Sequence, residues 1–121
     1  MRRILVGISG ASGAPITIRF LQRLEEEPDV ETHLVMTRGA ALTIEQETGS
    51  TVEQVKALAD VVYDIQEIGA RPASGSFTMD AMVIVPCSMK TVAGIVSGYS
   101  DNLLLRAADV MLKESRPLLL V

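Results

Sequence analysis

Residues 3–13 read Arg3-Ile4-Leu5-Val6-Gly7-Ile8-Ser9-Gly10-Ala11-Ser12-Gly13. Arg3 to Ser9 is a continuous aliphatic run of strand length, and the glycines and serines behind it spell a turn. Ile16, Phe20, Leu21 and Leu24 then fall on one face of a helix over Ile16–Glu26, which Pro28 stops. A strand that is apolar on both faces and passes through a glycine turn into a helix is the opening of a parallel α/β unit.

Outward from there the same alternation continues. Glu31–Thr37 reads as a second strand, followed by helical pieces at Ala40–Glu47 and Val52–Ala59 around Gly49-Ser50, then a short strand at Val61–Ile65. Gly69–Thr78 has no period and reads as a loop leading into a buried strand, Ala81–Pro86. Helices at Ser88–Val96 and Asn102–Lys113, joined by Gly98-Tyr99-Ser100-Asp101, precede a last aliphatic strand, Pro117–Val121. The pattern predicts a three-layer α/β/α sandwich with a mainly parallel sheet, flavodoxin-like or Rossmann-like. Residues 1–121 make a single domain, with no repeat or linker. Because the chain stops inside Leu118-Leu119-Leu120-Val121, read as a buried strand, this domain is expected to be C-terminally incomplete.

Composition narrows the function. Eleven basic and fifteen acidic residues leave a formal charge of −4, and two Tyr, two Phe and no Trp leave little stacking surface, so nucleic acid is an unsuitable partner. The longest apolar run, Ala81–Val85, is far below the roughly 20 residues of a spanning helix. A lone Cys87 and a lone His33 supply neither a disulfide nor a structural metal set, which points to a reducing, cytoplasmic setting.

Ligands of open parallel sheets bind outside the carboxyl ends of the strands. At the first end, the glycine turn offers backbone N–H groups and two hydroxyls at a helix N-terminus, a suitable anion site, or else a turn that merely packs helix on strand. The spacing of Gly7, Gly10 and Gly13 is neither a Walker A loop nor the dinucleotide fingerprint. At the second end stand Thr37 and Arg38, where a dinucleotide enzyme would place an acid for the ribose. At the later end, Pro86-Cys87-Ser88-Met89-Lys90-Thr91 offers Ser88 as ligand or as plain helix cap. Three ends rich in hydroxyls, with no acid among them, predict a phosphorylated small molecule.

Other residues are less decisive. His33 is too far back along its strand to serve Cys87 as a base, so both read as structural. Glu47, in the last turn of its helix, opposes the helix dipole by roughly 0.3–1 kcal/mol, which marks either function or a tolerated surface residue. The segment Ser74-Gly75-Ser76 is a polar loop or a wall over a ligand. Lys113 is the usual cation of a helix C-terminus.

The turn Gly7–Gly13, the loop Ser74-Gly75-Ser76, Val85-Pro86-Cys87-Ser88, and Arg106-Ala107-Ala108-Asp109-Val110 through Lys113-Glu114 resemble, in order and spacing, the UbiX-type flavin prenyltransferases, formerly called phenylacrylic or hydroxybenzoate decarboxylases. The resemblance implies a homododecamer that binds FMN and, without a metal, attaches a dimethylallyl group from dimethylallyl monophosphate. The prenylated FMN would serve UbiD-type decarboxylases such as those of ubiquinone synthesis. It further implies that Gly10, Ala11 and Ser12, then Thr37, then Ser88, Met89, Lys90 and Thr91 contact FMN. Ser12 and Glu47 would handle protons, Lys113 would help hold the prenyl phosphate, and Ser74 would lie beside the prenyl pocket. Family members carry further phosphate-binding arginines and a tyrosine beyond the last strand. A flavin-binding module without transferase activity is the alternative for the chain as it stands, and a nicotinamide dehydrogenase is disfavoured by Thr37-Arg38 and the glycine spacing.

Overall fold

The computed structural model describes residues 1–121. Five parallel strands form one sheet in the order β3-β2-β1-β4-β5: β1 (Arg2–Ile8), β2 (Val30–Met36), β3 (Val61–Tyr63), β4 (Ala81–Ile84) and β5 (Leu118–Leu120). Of the two expected topologies, this is the Rossmann order. The chain winds outward through β2 and β3, then returns to pair β4 against the free side of β1, so the strand order reverses between β1 and β4.

Alternation along the strands explains the two faces. Val6 and Ile8 of β1, with Leu34 of β2, are buried against Leu21 of α1 (Ala14–Glu25) and Ile44 of α2 (Arg38–Thr48), joined by Val55 of α3 (Val52–Lys56). Leu5, Val35, Met82 and Ile84 point the other way and pack on Leu103, Leu104, Ala107, Ala108 and Met111 of α5 (Leu103–Lys113), with α4 (Met89–Ser97) laid against α5. Gly7 fits here because Leu104 fills the space of a side chain: an added Cβ would lie 3.0 Å from its Cδ1. The expected α/β/α sandwich is present.

Several boundaries shift for local reasons. Helix α1 begins two residues before the first apolar position, because Pro15 sits in its first turn, where a missing N–H costs nothing. Helix α3 ends at Lys56, short of Ala59. The loop before β4 contains a 3₁₀ turn, Arg71–Ala73, with Pro72 buried under it. The last strand is not buried as expected. It is an edge paired only with β4, and Leu119 and Leu120 are 53% and 42% exposed.

His33, 1% exposed, is satisfied within the fold. Its Nε2 donates to Glu31 Oε1 at 2.6 Å and its Nδ1 lies 2.8 Å from the Tyr63 hydroxyl, while Arg3 approaches Glu31 at 3.5 Å. The His33 hydrogen bond holds Glu31 below the usual carboxylate range, and burial pushes the Tyr63 phenol up. Phe77 closes the group, edge-on to His33 and under the Arg3 guanidinium at 4.3 Å.

The core makes a direct prediction. Leu104 is fully buried between α5 and β1, so Leu104→Ala should cost about 2–5 kcal/mol in urea unfolding through lost burial and the cavity left behind. Leu112→Ala on the exposed side of the same helix should stay within about 0.5 kcal/mol.

Candidate functional site

The crevice where the strand order reverses is a cavity of about 630 Å³. Its wall takes Ser9 and Gly10 from the end of β1, Thr37, Arg38 and Gly39 from the end of β2, and Ser88, Lys90 and Thr91 from beyond β4. The sheet therefore brings together all three strand ends picked out in the sequence. Ala93, Gly94 and Ser97 of α4, with Tyr99, Asp101 and Asn102 of the following loop, extend it away from the sheet. That loop carried no sequence signal beyond its position after a helix that starts at a strand end.

The strand ends are tied together by hydroxyls. Ser9 Oγ, 1% exposed, donates to the Pro86 carbonyl at 2.8 Å and accepts from the Ser88 N–H at 2.6 Å. Thr17, on the buried face of α1, donates to the Val85 carbonyl at 2.6 Å. The Val85–Pro86 bond is cis; the Thr17 hydroxyl satisfies the Val85 carbonyl, and the Ser9 hydroxyl joins the Ser9 N–H, 3.1 Å away, on the Pro86 carbonyl. Neither role is visible in the sequence: Ser9 stands in a turn that reads equally as an anion site or as plain packing, and Thr17 is one polar residue on an apolar stripe.

Thr37 and Ser88 are helix caps. Thr37 Oγ1 accepts from the Ala40 N–H at 3.1 Å, and Ser88 Oγ accepts from the Thr91 N–H at 3.2 Å and lies 3.0 Å from the Thr91 hydroxyl. Capping uses one donor of each helix and leaves the N–H groups of the first turns at the cavity edge without intrahelical partners. Two such N-termini, those of α2 and α4, converge with the side chains of Arg38 and Lys90, so that end of the cavity is positive and rich in donors. Backbone also meets backbone here, since a Cβ on Gly10 would lie 3.2 Å from Gly39 Cα.

The first glycine turn differs from expectation. An acid does reach it: Glu47 lies across the N-terminus of α1, accepting from Ser12 Oγ at 2.8 Å and from the Gly13 and Ala14 N–H groups at 3.1 Å each. The carboxylate that opposes the dipole of its own helix caps the N-terminus of the neighbouring one, which resolves the local conflict. The Ser12 hydrogen bond foremost, then those of Gly13 and Ala14, hold Glu47 below the usual carboxylate range. A free anion site at this turn is thereby reduced to its Gly10 side, and Ala11, Ser12 and Glu47 stand beside the cavity rather than in its wall, as does Met89.

Ser74 and Lys113 lie elsewhere. Ser74 Oγ is 2.8 Å from Ser76 Oγ, and this loop rests on the end of α5, where Arg116 Nη2 donates to the Gly75 carbonyl at 3.0 Å and Glu114 fills the space beside Gly75. Lys113 ends that helix, exposed. Cys87 is half-buried, its thiol pushed up by burial, and His33 is engaged by Glu31 and Tyr63. No helix is long and apolar enough to cross a membrane.

Comparison with known proteins agrees with this geometry. The Flavoprotein family matches residues 1–121. A probable UbiX-like flavin prenyltransferase of a Streptomyces strain is 57% identical over 98% of this chain and 60% of its own length, and flavin prenyltransferase UbiX of Escherichia coli K12 is 55% identical over 99% and 64%. A dodecameric FMN-dependent UbiX-like decarboxylase from Escherichia coli O157:H7 superposes with a TM-score of 0.97 at 52% identity, covering 98% of this chain and 65% of that one. AnUbiX (PadA1), solved with FMN and dimethylallyl pyrophosphate, gives 0.96 at 52% identity, covering 99% and 63%. The chain thus spans 60–64% of the length of these two curated relatives.

Two outcomes follow from the bonding. Ser9→Ala orphans the Ser88 N–H and leaves the Pro86 carbonyl with the Ser9 N–H as its donor, at 3.1 Å, and should cost about 1–3 kcal/mol in chemical denaturation. Because the folded-state value of Glu47 is depressed, its contribution to stability is complete above the usual carboxylate range and disappears as pH falls through the depressed value. Glu47→Gln should therefore be less stable than wild type at neutral pH, with the difference in melting temperature closing in acid.

Proposed function

The chain belongs to the Flavoprotein family, and from that membership we propose that it binds FMN in the strand-end cavity and serves as the flavin-binding part of a flavin prenyltransferase. The observation that carries this is the convergence of two capped helix N-termini with Arg38 and Lys90 at one end of a cavity of about 630 Å³, a volume in the usual range for small-molecule sites. The residues fit a flavin monophosphate: donors and cations for the phosphate at the sheet, a small-residue surface beyond it. Gly10, Thr37, Ser88, Lys90 and Thr91 would hold the ligand from the wall, with Ala11, Ser12 and Met89 immediately beside them.

The reaction would join the allylic carbon of dimethylallyl monophosphate to the central-ring nitrogen of reduced FMN as the carbon–oxygen bond to phosphate breaks and the N–H proton leaves. Protonation of the remaining double bond would then let its tertiary carbon bond to the adjacent aromatic carbon, which gives up its hydrogen as a proton. The flavin supplies the nucleophile; the protein has to stabilise the leaving phosphate and exclude water. In this assignment the ionised Glu47 accepts a proton through the Ser12 hydroxyl that is bonded to it. Lys113 and the Ser74 loop, at the end of α5 away from the cavity, would hold the donor across a subunit boundary, at the cavity of a neighbouring copy. Prenylated FMN would pass to a UbiD-type decarboxylase in the cytoplasm, and the working form would be a homo-oligomer, a dodecamer as in the Escherichia coli O157:H7 neighbour.

Titration separates phosphate recognition from ring recognition. FMN should bind at least tenfold more tightly than riboflavin, and equal affinities would remove the phosphate assignment. Incubating reduced FMN and dimethylallyl monophosphate with the protein at the full length of its relatives, followed by mass analysis of the flavin, tests the transfer. There Glu47→Gln should keep FMN bound and slow transfer by roughly 10²–10⁴; an unchanged rate would leave Glu47 with only its capping role.

A further inference from the structure

The proposed function accounts for the phosphate end of the cavity and leaves the other end unassigned. We propose that Tyr99 is the ring-contact residue of the site, its phenol covering the flavin's planar ring against the small-residue face of α4. This rests on the FMN reading above and says which part of the ligand lies where.

Four observations converge on it. Tyr99 is the one aromatic side chain in the cavity wall. It is 61% exposed, whereas the chain's other tyrosine, Tyr63, packs against the core and hydrogen-bonds His33. An exposed aromatic at the rim of a concave site is poised to lose that exposed area to a ligand.

The backbone beneath it is fixed from both sides. Gly98, at φ 73°, terminates α4, and the Tyr99 N–H donates back to the Gly94 carbonyl at 2.8 Å. Three residues on, the Asn102 side chain caps α5 by accepting from the Leu105 N–H at 2.9 Å. The phenol is thus carried on a short, doubly anchored bridge rather than a free loop.

The wall beside it suits a flat apolar ring, with Leu105 of α5 as its one large aliphatic side chain. Ala93, Gly94 and Ser97 present almost no side chain to the cavity. Gly94 cannot be enlarged cheaply, because an added Cβ would lie 3.0 Å from a Leu105 methyl. Lys90 lies one turn before Gly94 on the same helix, so α4 runs from the positive end of the cavity to its flat end. A ligand with a phosphate at one end and a planar aromatic at the other matches that polarity.

The test titrates wild type, Tyr99→Ala and Tyr99→Phe with FMN, riboflavin and lumiflavin, the last being the ring without its side chain, and reads affinity and the fluorescence of bound flavin. Tyr99→Ala should weaken FMN and riboflavin by the same factor, about tenfold given the usual strength of aromatic stacking. It should also raise the fluorescence of bound flavin, since a stacked phenol quenches the ring. Tyr99→Phe should retain the affinity, and lumiflavin should lose its binding to Tyr99→Ala. Wild-type binding with an unchanged Tyr99→Ala affinity would overturn this proposal alone, as would a loss confined to FMN. Failure of wild type to bind FMN at all would overturn the flavin reading and this one with it. Far-UV circular dichroism of Tyr99→Ala, an exposed position, separates lost contact from lost fold.

Discussion

Strand β1 has to be covered on both faces and paired on both edges, yet its carboxyl end has to stay open. Everything else in the molecule answers to that constraint. Pairing with β2 and β4 consumes the strand's own hydrogen bonds, and α1 with α2 on one side and α5 on the other consume its side chains. A parallel strand buried in this way has one place where backbone donors can meet a solute, the turn that leaves it. Since β2 and β4 run in the same direction, their exits lie at the same edge, and the cavity follows.

Holding three exits in register is the task of a few polar side chains that would otherwise pass as ligands. Ser9 and Thr17 bind the carbonyls at the bend after β4, and Glu47 locks the start of α1 to the end of α2. Ser9 and Thr17 are buried hydroxyls satisfied by backbone partners, the arrangement in which a buried polar group rigidifies instead of destabilising, while the exposed Glu47 adds bonds from the Ser12 hydroxyl and two backbone N–H groups. The donors that remain, on α2 and α4, are then fixed before any ligand arrives, which reduces the ordering cost of binding.

Most of the fold was legible because aliphatic runs and helical spacing are local signals, and Gly7–Gly13, Thr37 and Ser88 stood where strands end. The last strand misled because Leu118–Val121 has the composition of a central strand while occupying an edge, and composition does not report neighbours. Glu47 was recognisable as an anomaly, but its partners are 33 to 35 residues away, beyond any local pattern. The role of Ser9 was hidden since its bond to Pro86, 77 residues on, depends on strand order. Tyr99 lacked a motif altogether; its place in the wall follows from where α4 happens to end.

The close approach of Gly10 to Gly39 bears on how this site can vary. Where main chain touches main chain, the floor of a cavity is set by two glycines and not by a lining that can be trimmed or padded. A side chain at Gly10 would press on the Gly39 backbone at 3.2 Å, whereas one at Gly39 would meet Gly10 at an ordinary 3.5 Å contact, so the constraint falls on Gly10. Variation in ligand preference is thereby channelled to the rim, where residues such as Tyr99, Asp101 and Lys90 can exchange without moving a strand. Depth is a property of the fold, while selectivity is left to the sequence around its mouth.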